Sequence, residues 1–94
     1  MTPQDELERG QLAADIAGNR VYTETMAQMR EEILARWQVE ADADKRDHLW
    51  RMMQCQKRFE NLLSDALLTG KIRAKQLQDE QTRLDKAKGL FRRS

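Results

Sequence analysis

The chain of 94 residues has a single cysteine, a single proline, four glycines and few aromatic residues, two Trp, two Phe and one Tyr. Each scarcity excludes something. Cys55 alone cannot close an internal disulfide, so no disulfide framework is expected and a cytoplasmic setting is the default. One proline and four glycines supply little material for the tight turns of a β protein, and Val, Ile, Thr, Tyr and Phe are too scattered for a period-2 run; no strand is expected. No apolar run approaches the ~20 residues that span a membrane. The opening Met1-Thr2-Pro3-Gln4-Asp5-Glu6 is acidic where a signal peptide is basic and then apolar, so a soluble protein is expected.

Chemistry-bearing residues are equally sparse. His48 and Cys55 fall seven residues apart on roughly one helix face, two ligands where a structural zinc site needs about four. Ser64 and Ser94 have no histidine in helical register and no glycine-containing elbow, which leaves nucleophilic catalysis without its parts. Glycines 10, 18, 70 and 89 stand alone, so there is no phosphate-cradling loop. The carboxylates of Glu31, Glu32 and Asp47 sit beside Lys or Arg in helical positions and read as a solvated face. A non-enzymatic protein without cofactor or metal is the expectation.

What is present is charge, 35% of the chain against 5% aromatic, the balance of helical bundles and coiled coils. Net charge is +1, but it is unevenly distributed: residues 1–70 carry 9 basic and 13 acidic side chains, a difference of −4, and residues 71–94 carry 8 and 3, a difference of +5. An acidic body with a basic tail suits an acidic protein surface, nucleic acid or a second copy of itself as partner.

Periodicity predicts an all-α protein, a long antiparallel helical hairpin with a short N-terminal helix and a charged C-terminal helix. The first helix covers about 4–17, carries Leu7, Leu12, Ala13 and Ile16, and is expected to fray at Gly10. The second covers about 20–39, where Tyr22, Met26, Met29, Ile33 and Trp37 recur at spacings of four, three, four and four on one face. Asp42 or Asp44 then caps a third helix over about 45–69, with Leu49, Met52, Met53, Gln56, Phe59, Leu63, Ala66 and Leu67, and Gly70 is the expected stop. The short acidic link folds the two long helices together. That places Trp37 near Leu49 and Trp50 as a tryptophan-clamped tip, Ile33 near Met53, Met29 near Gln56, Met26 near Phe59 and Tyr22 near Leu63. Met26, Met29, Met52 and Met53 on these inner faces read as core filling in preference to the adaptable binding groove that methionine-rich surfaces make.

Residues 1–70 are thus expected as a hairpin domain, and 71–94 as a basic helix or tail. In the tail Leu77, Leu84 and Phe91 recur every seven residues, a narrow stripe that suits one neighbour, and Leu90-Phe91-Arg92-Arg93 couples apolar to basic side chains. With Trp50, whose type is common at interface hot spots, Leu77, Leu84, Leu90, Phe91, Arg92 and Arg93 are the candidate partner-binding residues. Asp79, Glu80 and Asp85 interleave with the tail's basic residues, and no helix-turn-helix or stacking platform is evident; nucleic-acid attraction is expected to be weak.

The order Arg9-Gly10-Gln11-Leu12, Ile16 and Asn19 before Tyr22, Ile33-Leu34 and Trp37, an acidic break, Asp47-His48-Leu49-Trp50, Leu62-Leu63 and Gly70-Lys71 resembles small helical proteins of tailed bacteriophages encoded among head and packaging genes. The resemblance spans about residues 9–71 and carries no catalytic residue. It implies a virion-assembly or head-associated role in the host cytoplasm or the virion. A portal, capsid or packaging protein would then be the partner of the Leu90–Arg93 segment. A homo-oligomer is expected alongside. A small nucleic-acid-associated regulator and an inhibitor of a host enzyme are the competing classes.

Overall fold

In a computed structural model the chain is described over residues 1–93, with side chains over residues 1–90. It is all-helical: α1 covers Pro3–Ala17, α2 Arg20–Val39 and α3 Ala43–Arg93. No strand occurs among the described residues. The first two helices match the expected boundaries closely because their caps are local. The Thr2 hydroxyl accepts the Asp5 N–H while the Asp5 carboxylate accepts the Thr2 N–H, a reciprocal pair that ties down two otherwise unpaired donors. At the next junction the Asn19 side chain accepts the Tyr22 N–H at 2.9 Å and starts α2.

The link between α2 and α3 is held by two side chains. Asp42 accepts the Lys45 N–H at 2.9 Å, the capping role expected of the acidic run. Arg46 donates to the carbonyls of Trp37 and Glu40 at 2.9 and 3.2 Å, which satisfies groups at the end of α2 that have no partner inside the helix. Its guanidinium also lies 4.2 Å from the centre of the Trp37 ring, within cation–π range. The tip is therefore clamped by a tryptophan and an arginine, and not by two tryptophans. Trp50 is exposed, which corrects the expected Trp37–Trp50 pairing.

The expected stop at Gly70 does not occur. α3 runs without a break for 51 residues, about 76 Å at 1.5 Å per residue, and accounts for the 79 Å length of the molecule. A glycine after an apolar run reads as a helix terminator when only its neighbours in sequence are considered. Here Gly70 has no positive φ and instead meets Gly10 across a helix crossing. A Cβ built on either glycine would stand 2.5 Å from the Cα of the other, so only two glycines allow the backbones this close. Gly10 is buried in that crossing, inside an unbroken α1.

Apart from the Arg30–Glu60 pair, the contacts of α1 and α2 fall at successively higher positions of α3 as their own numbers fall. Trp37 meets Arg46, Gln56 donates to the Met26 carbonyl at 2.8 Å, and Arg30 pairs with Glu60. Tyr22 tilts against Phe59 with ring centres 6.4 Å apart, Gly10 meets Gly70, and Glu6 pairs with Arg73. α1 and α2 thus succeed one another along α3 between residues 46 and 73. Beyond that, α3 continues alone.

The result is a rod of 79 × 24 × 17 Å with a Cα radius of gyration of 21.6 Å, against about 12 Å for a compact chain of this length. Two thin layers leave almost no interior. Among the described residues only Gly10, Ala13, Ile33, Gln56 and Gly70 are buried. No large side chain is fully enclosed.

Candidate interaction surface

The side chains that periodicity assigns to the seam between α2 and α3 do not close it. Met26 and Met53 are half-buried, but Met29 and Met52 are exposed and Phe59 is 51% exposed. The reason is the number of layers: two helices in contact cover only part of each apolar stripe, and a third would be needed for the remainder. α1 does not act as that third layer, because it follows α2 along α3 instead of lying beside the pair.

What this leaves is a continuous apolar trough on one side of the rod. An open hollow of about 420 Å³ is lined by Met26, Met29, Ile33, Met52, Cys55 and Phe59, together with Gln56. A second, of about 320 Å³, begins at the same Phe59 and passes between Leu62, Leu63 and Ala66 of α3 and Leu12, Ala13 and Ile16 of α1. Phe59 is the shared wall. Beneath it, Gln56 offers its Oε1 with no partner, as does the Tyr22 hydroxyl on the other flank. Polar atoms buried without partners usually cost about 1–3 kcal/mol each.

The same side continues onto the lone part of α3. Leu77 follows Phe59 by 18 residues, five full turns at 3.6 residues per turn, and Leu84 follows Ala66 by the same interval. Both lie on the trough side, with Leu77 48% and Leu84 52% exposed. Leu90 is more exposed still, on another side of the helix. The side chains of Phe91, Arg92 and Arg93 lie outside the described residues. Of the candidate partner-binding residues, the structure brings Leu77 and Leu84 into line with the trough, whereas Trp50 stands apart near the tip.

Sequence reasoning did not select Met29, Met52, Phe59 or Leu62 as surface residues. A stripe repeating at helical spacing looks the same whether a neighbour covers it or not. The small-residue pair Gly10 and Gly70 was visible but separated by 60 positions, with nothing local to join them.

Electrostatics at the surface are simple. Glu6–Arg73 and Arg30–Glu60 fasten α1 and α2 to α3, while Arg20–Glu24 and Asp47–Arg51 are exposed pairs within single helices. The latter contribute a few tenths of a kcal/mol at most. The hydrogen bonds from the Thr2 hydroxyl and then the Thr2 N–H hold the Asp5 carboxyl below its ordinary value of 3.8. A further hollow of about 440 Å³ at the tip gathers Arg36, Glu40, Asp44, Lys45 and His48 around Val39 and Leu49. Among the described residues no three His, Cys, Asp or Glu side chains are grouped as metal ligands would be, and no helix is long and apolar enough to cross a membrane.

Comparison with protein-family models, with curated proteins and with solved structures gives no match to this chain. The functional reading rests on the surface itself.

Proposed function

We propose that the chain is a non-catalytic interaction protein, an antiparallel helical fold-back that completes its core only by associating with other protein surfaces, its own copies included. One observation carries this reading. The chain exposes 7964 Å², whereas a compact folded monomer of 11.1 kDa exposes about 5,700 Å². The surplus of about 2,300 Å² is the scale of an extensive protein–protein interface, and it includes a contiguous apolar trough larger than scattered surface residues explain.

The lone part of α3 supports the same reading. A single helix of about 20 residues with no neighbour is marginal in water, because each hydrogen bond gained barely offsets the ordering of its residue. Packing against a partner stabilises it. Within this reading, the resemblance to phage head and packaging accessory proteins suggests virion assembly as the setting, with a portal, capsid or packaging protein as the larger partner. The basic residues beyond position 85 then serve as the docking end.

Light scattering on the purified protein, combined with capture of candidate head proteins by chains with and without residues 85–94, tests the proposal. Association in at least one arm is expected. A strict monomer at tens of micromolar that captures no head protein, with or without residues 85–94, would overturn it.

A further inference from the structure

The trough needs an occupant of defined shape: a slender helix with an apolar stripe, long enough to run from Phe59 to Met52 and beyond. The chain carries such a helix on its own far half. We propose that the trough is filled by the lone part of α3 from a second copy, the two chains lying antiparallel about a point near residue 68. This deepens the self-association reading above and rests on it.

Spacing gives the first argument. Met52 and Phe59 are seven residues apart in the trough, and Leu77 and Leu84 are seven apart on the lone helix. An antiparallel pairing that seats Leu77 against the partner copy's trough at Phe59 therefore seats Leu84 at Met52, and each chain does the same for the other. A seven-residue apolar repeat is what holds two helices in continuous register.

Charge gives the second. The same register sets Lys71 level with Asp65, Asp79 level with Lys57 and Asp85 level with Arg51 in the opposing copy. No two side chains of like charge are level anywhere between residues 43 and 93 at neutral pH. Lys71, Asp65, Asp85 and Arg51 stand on the flanks of the seam and Lys57 and Asp79 on the outer faces, so the pattern avoids level repulsion without adding close ion pairs. A parallel pairing would set each charge level with its own copy and repel at every step.

Area gives the third. A surplus of about 2,300 Å² per chain falls within what extensive homodimers bury, and a two-fold arrangement covers the trough and the lone helix of both copies in one closed step.

Cys55 is exposed in the trough and reports the register directly. In the antiparallel pair it lies level with residue 81 of the other copy and about 39 Å from the other Cys55, far beyond the roughly 7 Å between Cα atoms that a disulfide tolerates. The experiment is mild oxidation of the full chain with non-reducing electrophoresis, alongside light scattering at tens of micromolar. The wild type is expected to be a dimer that does not cross-link. Glu80→Cys is expected to cross-link between chains, and to lose the cross-link when Cys55→Ser is added. Leu84→Asp should weaken dimerisation at least tenfold, while circular dichroism shows that residues 3–73 stay folded. A dimer whose wild type cross-links through Cys55 overturns the antiparallel register and leaves self-association standing. So does a dimer in which Glu80→Cys fails to cross-link. A monomer overturns the second-copy occupant, and capture of a head protein by that monomer would leave the broader interaction reading intact.

Discussion

Replacing Gly70 by alanine is the sharpest perturbation of this fold, because two opposing effects meet there and their sizes differ. In a helix interior alanine is favoured over glycine by about 0.8–1 kcal/mol, so the substitution should stabilise α3 if nothing lies nearby. The new methyl carbon, however, would stand 2.5 Å from the Cα of Gly10, 3.4 Å from the Gly10 carbonyl carbon and 3.4 Å from its nitrogen. Carbon atoms in contact prefer about 3.5–4.0 Å, so α1 must retreat by about 1 Å. Backbone cannot swing aside as a flexible side chain can. Overpacking of this kind costs about 1–3 kcal/mol, and retreat also loosens Ala13 and the Glu6–Arg73 pair. The clash is thus expected to win by about 1–2 kcal/mol, a fall in melting temperature of about 4–16 °C for a domain of this size. Gly89→Ala is the control, since a methyl there meets nothing within 4 Å and should raise helix content. Thermal melts followed by ellipticity at 222 nm read both. A stronger substitution, Gly70→Leu, should release α1 entirely. It contributes 15 helical residues beside 20 in α2 and 51 in α3, so ellipticity would fall by roughly one sixth. Gly70→Ala melting at or above the wild type would show that the two glycines do not meet and that the crossing is wrongly drawn.

Other consequences can be measured independently. Arg46→Ala removes the cation from the Trp37 ring and two hydrogen bonds to carbonyls at the end of α2, and should cost about 1–3 kcal/mol in chemical denaturation; no change would mean that the tip holds without its clamp. Gln56→Met trades the bond to the Met26 carbonyl for removal of the unpartnered Oε1, and should alter stability by less than about 1 kcal/mol, whereas Gln56→Glu sets a charge in the seam and should be clearly destabilising. The Asp5 carboxyl is held below 3.8 in the folded chain, so its contribution is fully present above that value and is lost as pH falls through the lowered one. Helix content should accordingly decline below about pH 4 more in the wild type than in Asp5→Asn, as followed by circular dichroism. Equal declines would remove the capping box from the account.

Legibility followed locality. The start of α2 and the Asp42 cap were readable because Asn19 and Asp42 act within three residues of themselves, whereas the Thr2 capping box of α1 was not singled out. The uninterrupted passage through Gly70 was not, since the same glycine ends a helix or lets another approach it, and only Gly10 decides which. The tip showed a similar limit. Two tryptophans flanking an acidic link invite a pairing, but Arg46 lies one turn nearer to Trp37 than Trp50 does and can both stack and donate. Burial was the least legible property. The stripe from Tyr22 to Trp37 has the period of a covered face, yet period records which side chains share a face and not how many neighbours that face meets.

The uninterrupted α3 also fixes how dimension and mass are related. Two copies laid antiparallel about residue 68 span nearly the same distance as one, because the slender half of each runs beside the stout half of the other. Association would double the scattering mass while hardly extending the longest interatomic distance beyond 79 Å. The tapered particle would become one of even girth, with its two Trp37–Arg46 tips at opposite ends.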